Sequence, residues 1–189
     1  LEHLRQRDAI IIADIKRGDI AKTAEMYAKA HFTGDFEADF ITLNPYMGMD
    51  TLTPFLPYFK EQNKGAFVLI RTSNPGAQDI EYINTTDNRH VYNVVGEKIN
   101  TLGKEFIGEC GFSAIGGVMG CTHADEAKEV RESLDSTFFL IPGYGAQGGK
   151  AEDIALYLKE SNGGVVNASR SILLAYKKVE NGEGNFDEH

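Results

Sequence analysis

Cysteine is scarce in this chain, with two in 189 residues, Cys110 and Cys121. Two thiols are too few for a disulfide framework, so both read as structural thiols in a reducing, cytoplasmic setting. Long apolar runs are missing too. None approaches the roughly 20 residues that cross a bilayer, so no membrane partner is expected. Basic residues are outnumbered, 19 Lys and Arg against 28 Asp and Glu, giving a formal net charge of -9. That balance argues against indiscriminate binding to nucleic acid or anionic membrane, and an anionic ligand would need a local cationic site. The five histidines, His3, His31, His90, His123 and His189, have no metal-ligand spacing with one another or with the cysteines, so no metal site is expected. No low-complexity stretch or linker divides the chain, which reads as one domain over 1–189 with enough length for a real core.

What is present is an alternation of short apolar runs with amphipathic ones. The runs predict strands over 9–13, 40–43, 66–71, 113–119, 138–141 and 164–168. The spacing between them predicts helices over 20–32, 52–61, 91–109, 124–133 and 150–160, with another over 171–178. Six strands alternating with helices imply an α/β fold with a parallel sheet. Polar and glycine-rich residues recur just after each strand: Asp14 and Lys16, Asn44-Pro45-Tyr46, Thr72-Ser73-Asn74-Pro75-Gly76, Gly120-Cys121-Thr122, the stretch from Pro142 to Gly149, and Ser169-Arg170. Ligands bind at that end of the strands in both (β/α)8 barrels and open doubly wound sheets. The last two loops favour the barrel, where a phosphate site often forms after strands 7 and 8. On that count the visible strands are 3 to 8. Leu1 to Arg7 reads as the last turns of a helix, two βα units are expected upstream, and 181–189 reads as a connection to a further segment. A barrel of about 250 residues agrees with this expectation.

Asp14-Ile15-Lys16-Arg17-Gly18-Asp19 follows the apolar run 9–13. Residues i and i+2 of a strand share a face, so Asp14 and Lys16 should project together from a buried strand. Charges of alternating sign in a largely dry site are costly to assemble and suit proton chemistry. Taken singly, Asp19 is a good N-cap for a helix beginning near Ile20, and Lys16 and Asp14 make an ordinary surface pair. Ser73 lacks a G-x-S-x-G elbow and reads as a hydrogen-bonding group for a planar polar ligand rather than a nucleophile. Gly143-Tyr144-Gly145-Ala146-Gln147-Gly148 matches G-x-G-x-x-G but comes late, without the acidic residue of a dinucleotide site. A P-loop fails because Tyr144 and Ala151 stand where Gly and Ser or Thr are needed. What remains is a loop whose backbone N–H groups and Gln147 amide could wrap an anion, beside the guanidinium of Arg170.

The motif Asp14-Ile15-Lys16-Arg17-Gly18-Asp19-Ile20 with Thr23 resembles the D-x-K-x-x-D-I-x-x-T signature of the orotidine 5'-monophosphate decarboxylase family. Asn44-Pro45-Tyr46-Met47-Gly48, Thr72-Ser73-Asn74-Pro75-Gly76-Ala77, the run from Pro142 to Gly149 and Asn167-Ala168-Ser169-Arg170-Ser171 are similar, in order, to the longer bacterial branch of that family. The resemblance implies a homodimeric barrel that converts orotidine 5'-monophosphate to uridine 5'-monophosphate in pyrimidine biosynthesis, with no metal or cofactor. It makes Lys16 the acid that protonates C6 and sets Asp14 against the substrate carboxylate. It carries Asp19, Ile20 and Thr23 across a dimer interface into the partner's site. Ser73 would bind the pyrimidine edge, Gln147 would bridge base and phosphate, Arg170 would hold the phosphate, and Pro142 and Ser169 would join them in binding substrate. It also implies a second lysine and a ribose-binding aspartate from the two upstream units.

This chemistry is self-consistent. Loss of carbon dioxide leaves charge on carbon, and without an electron sink only preorganised electrostatics can stabilise it. An ammonium amid carboxylates is favoured in its charged form and can offset and then quench the carbanion. Two other readings remain open: a sugar-phosphate decarboxylase of the same superfamily, which shares D-x-K-x-x-D, or a catalytically incomplete phosphate-binding fragment.

Overall fold

The computed structural model describes residues 2–121, 124–145, 148–160 and 162–178. Helix α1 (Glu2–Arg5) leads into strand β1 (Ile12–Arg17), then α2 (Ala21–Phe32), β2 (Phe40–Leu43), α3 (Leu56–Glu61), β3 (Gly65–Arg71), α4 (Val91–Gly103), β4 (Ile115–Met119), α5 (Ala127–Ser133), β5 (Phe139–Ile141), α6 (Ala151–Ala155), β6 (Gly164–Val166) and α7 (Ser169–Leu173). All neighbouring strands pair in parallel, in the order β1-β2-β3-β4-β5-β6. A doubly wound sheet would reverse direction at a switch point. Consecutive order without reversal is instead an arc of a barrel, and the six strands form a half-barrel. Among the described residues no helix is long and apolar enough to cross a membrane.

Several elements differ from their sequence-based bounds. The strand expected over 9–13 runs from Ile12 to Arg17. Pairing with β2 starts at Ile12↔Phe40, and the Ile11 N–H is taken by the Asp39 carboxylate at 2.8 Å. Asp14 and Lys16 therefore lie within the strand, not after it. The strand expected over 113–119 starts at Ile115, because Ser113 bridges antiparallel to Ile107. The last strand stops at Val166 rather than 168. The helix expected over 52–61 is a 3-10 turn (Met49–Phe55) followed by α3, since Pro54 and Pro57 cannot donate to an α-helical ladder. The helix expected over 91–109 ends at Gly103, followed by a 3-10 turn (Lys104–Phe106). The helix expected over 124–133 opens as a 3-10 turn (Ala124–Glu126) before α5. That over 150–160 shrinks to the five residues of α6, and the last predicted helix is α7 followed by a 3-10 turn (Ala175–Lys178).

The sheet has two unlike faces. Ile41, Leu43, Ala66, Val68, Ile70, Ile115, Met119, Phe139 and Ile141 pack with helix residues such as Ala24, Ala28, Phe32, Ile99 and Val130 in the main core. The opposite face carries Phe67, Val118 and Leu140, with Ile12, Phe40, Leu69 and Phe138 against them. There the rings of Phe40, Phe67 and Phe138 form a row, with centroids 5.3 and 6.4 Å apart. This alternation is the period of two expected of strands covered on both faces.

Two adjacent glycines make room in β4. A Cβ on Gly116 would fall 2.5 Å from the Phe138 carbonyl oxygen and 2.8 Å from Phe67 Cδ1. A Cβ on Gly117 would meet Ile70 Cδ1 at 2.3 Å and Thr137 Cγ2 at 3.5 Å. We expect Gly116→Ala to lower stability by about 1–3 kcal/mol through overpacking, read as a lower urea midpoint with an unchanged slope.

Candidate functional site

β1 lengthens where the charged residues begin. It pairs Ala13 with Ile41 and Arg17 with Leu43, so four steps along β1 match two along β2. The two surplus residues bulge out, and Lys16 takes a left-handed backbone with φ 47°. Within this bulge Lys16 Nζ donates to both Asp14 carboxylate oxygens at 2.6 Å. The sequence-predicted pair is brought together, though by a bulge rather than by simple i, i+2 alternation. The side chains of Lys16 and Asp14 are 50% and 56% exposed, because β1 is an edge strand in the described sheet. Burial pushes the Asp14 carboxyl up, but hydrogen bonds from Lys16 and Thr42 and the charge of Lys16 outweigh it and hold it below its ordinary value.

Asp19 is not the N-cap of α2. That position is Ile20, and Asp19 Oδ1 accepts the Ile20 N–H at 2.8 Å. Among the described residues Asp19 makes no ion pair with Lys16 of the same chain. Ile20 is 57% exposed, and Thr23 is exposed on the first turn of α2. Ser73, two residues past β3, is half-buried and packs on Gly120, where a Cβ would come within 3.1 Å of its own.

At the far edge of the sheet, Pro142, Gly143 and Tyr144 face Asn167, Ala168, Ser169, Arg170 and Ser171 across a cavity of about 140 Å³. The structure thus brings together Pro142, Ser169 and Arg170, and Gln147 lies outside the described residues. Arg170 is exposed and makes no ion pair among the described residues. Gly143, Gly145 and Gly148 have φ of 105°, 69° and 92°, and the loop closes on itself. The N–H groups of Gly145, Gly148 and Gly149 donate to the carbonyls of Gly149, Gly145 and Gly143. These three N–H groups are thus turned to the loop's own carbonyls, and Arg170 is the cation lining this cavity. Because every strand is parallel, the Asp14–Lys16 pair and this cavity share one rim of the sheet, at opposite edges.

Comparison with known proteins adds to this geometry. Residues 1–184 match the model of the orotidine 5'-phosphate decarboxylase / HUMPS family. The chain belongs to that family. It is 66% identical over 188 residues to an orotidine 5'-phosphate decarboxylase of Clostridium perfringens and 63% identical to that of Clostridium kluyveri. Both alignments cover 100% of this chain, which spans 65% of the length of either relative. The structure of Leishmania donovani OMP decarboxylase superposes with a TM-score of 0.74 at 32% identity, over 86% of this chain and 60% of that one.

In this member of the family, sequence reasoning missed two groups behind the rim. One is Thr42, fully buried on β2, whose hydroxyl accepts the Lys16 N–H at 2.8 Å and donates to Asp14 Oδ1 at 2.9 Å. The other is Arg71, the last residue of β3 and fully buried. Pairing of β3 with β4 slips by one residue between Leu69 and Arg71, which turns Arg71 back to the helix side with Ile70. There it donates to Glu126 at 2.5 Å, to the Gly120 carbonyl at 3.2 Å and to the Tyr157 hydroxyl. Tyr92 donates to the same Glu126 oxygen at 2.8 Å, and its ring centroid lies 5.3 Å from the guanidinium. Burial, with Glu126 beside it, pushes the Tyr92 hydroxyl up to about 12, so it donates as a neutral phenol. Cys121 adds a link, its thiol donating to the Pro142 carbonyl at 3.2 Å. The signal for Arg71 was in the sequence: an arginine closing a run as apolar as Gly65–Arg71 needs a buried partner.

Glu126→Ala strands this guanidinium. We expect a loss of about 3 kcal/mol in chemical denaturation, the lower end for breaking a buried pair because the Glu126 side chain is 30% exposed.

Proposed function

We propose that the natural protein decarboxylates orotidine 5'-monophosphate to uridine 5'-monophosphate in pyrimidine biosynthesis, as a cytoplasmic homodimer that uses no metal or cofactor. The observation that carries this reading is the Lys16–Asp14 pair, bonded at 2.6 Å on the rim of a parallel sheet, in a chain 66% identical to a protein of that activity. The relatives' greater length and the two unpaired sheet edges support a complete (β/α)8 barrel, to which this chain contributes strands 3 to 8.

In this mechanism Arg170, with Pro142 and Ser169, binds the phosphate, and Ser73 binds the pyrimidine edge. Gln147 bridges the two. The carboxylate of Asp14 opposes the substrate carboxylate across the reacting bond. The C6–carboxyl bond breaks, carbon dioxide leaves, and the electron pair stays on C6. The Lys16 ammonium offsets that charge, then transfers its proton to C6 and regains one from water. Phosphate binding far from C6 supplies energy that holds the charged groups in place. Ile20, Tyr46 and Met47, exposed at 57%, 80% and 46%, give the β1 side an apolar surface suited to a second subunit. Asp19, Ile20 and Thr23 on that side would reach the partner's site.

The test is loss of orotidine absorbance by the full-length natural protein. Lys16→Ala should lower kcat at least ~10²–10⁴-fold, the scale of a lost general acid, while Arg170→Ala should act mainly on KM. A chelator should change nothing. Full turnover by Lys16→Ala would overturn the proposal, and loss of activity on chelation would favour the sugar-phosphate reading. Because the Asp14 carboxyl is held below its ordinary value, it stays charged until the pH falls through that lowered value. The acid limb of kcat/KM, which reports the free enzyme, should therefore lie below the usual carboxylate range, as a pH–rate profile will show.

A further inference from the structure

We infer that Thr42 is a positioning residue, whose single hydroxyl sets both the bulged backbone of Lys16 and the carboxylate of Asp14. The part of this inference that concerns rate rests on the decarboxylase reading above. The Lys16 N–H can only donate and an ionised carboxylate can only accept, so both bonds form only when the Thr42 proton points at Asp14. The hydroxyl is thereby fully oriented. Its carrier is rigid, because Thr42 is a β-branched residue with no exposed surface, between the buried Ile41 and Leu43 on a paired strand.

Among the described residues the pair it serves has little other support. Asp14 receives its side-chain hydrogen bonds from Lys16 and Thr42, and Lys16 Nζ donates to Asp14. Both side chains are half-exposed, and the Lys16 backbone is in a region that non-glycine residues hold only when their surroundings impose it. Thr42 is thus the buried anchor that ties the exposed ion pair to the sheet. A displacement of about 1 Å at reacting groups costs on the order of a hundredfold in rate, so the anchor should matter to catalysis although it touches no substrate.

The experiment compares Thr42→Val with Thr42→Ser in the full-length protein. Valine keeps the volume and loses the hydroxyl, and serine keeps the hydroxyl and loses the methyl. Thr42→Val should lower kcat about ten- to a hundredfold with KM changed less than about threefold, on the scale of a lost hydrogen bond to a charged group. Thr42→Ser should keep kcat within about threefold even if its melting temperature is the lower. A purely structural role predicts the opposite order, and full kcat in Thr42→Val or equal losses in both would overturn the inference. NMR titration of the Asp14 carboxyl gives a readout without turnover. Lys16 is the one titratable group bonded to Asp14 among the described residues. With Lys16 kept, the Asp14 midpoint should move up in Thr42→Val and not in Thr42→Ser. That pattern in a protein lacking decarboxylase activity would remove the proposed reaction and keep the anchor. Unmoved midpoints would remove the anchor.

Discussion

The constraint on which this structure turns is the parallel ladder and the two places where it slips. Regular parallel pairing brings every strand's C-terminal end to one rim but fixes which way each side chain points. Two surplus residues in β1 let Asp14 and Lys16 bend toward each other, and one in β3 returns Arg71 to the helix layer. Without these slips the charges would follow strict alternation. This rim of the sheet is built from departures from regularity, each held by a partner on the neighbouring strand or helix.

The two slips carry opposite electrostatics. At β1 the ion pair is half-exposed among the described residues, with the buried Thr42 hydroxyl bonded to it from behind. At β3 the guanidinium is fully enclosed, and its terminal nitrogens find protein partners in place of water while Nε finds none among the described residues. Arg71 therefore acts as a structural rivet. It joins the end of β3 to the segment after β4 through Gly120 and Glu126, and to the chain after α6 through Tyr157. The loops on either side of that rivet carry Ser73 and the glycine turn, so distant parts of the rim inherit a common foundation.

Much of this was legible in the sequence. Strand alternation predicted the parallel barrel-like sheet, and the runs around Phe40–Leu43 and Gly65–Arg71 were located nearly to the residue because both faces of those strands are apolar. The D-x-K-x-x-D spacing found the Asp14–Lys16 pair. What sequence could not supply was register. A bulge has no signature in hydropathy, so the apolar run predicts β1 too early and sets Asp14 and Lys16 beyond it. The shortened helix over 52–61 reflects proline at 54 and 57. Composition shows where the glycine loop's N–H groups are available, not that three of them bond to the loop's own carbonyls. Thr42 escaped notice as an ordinary strand threonine.

The neighbouring glycines of β4 face unequal evolutionary prospects. The obstacles at Gly117 are side-chain tips, Ile70 and Thr137, which a second substitution can trim. At Gly116 one obstacle is a main-chain carbonyl, which no exchange of side chains removes. Drift at residue 117 can be compensated by drift at residue 70, whereas residue 116 is locked by the path of the chain itself.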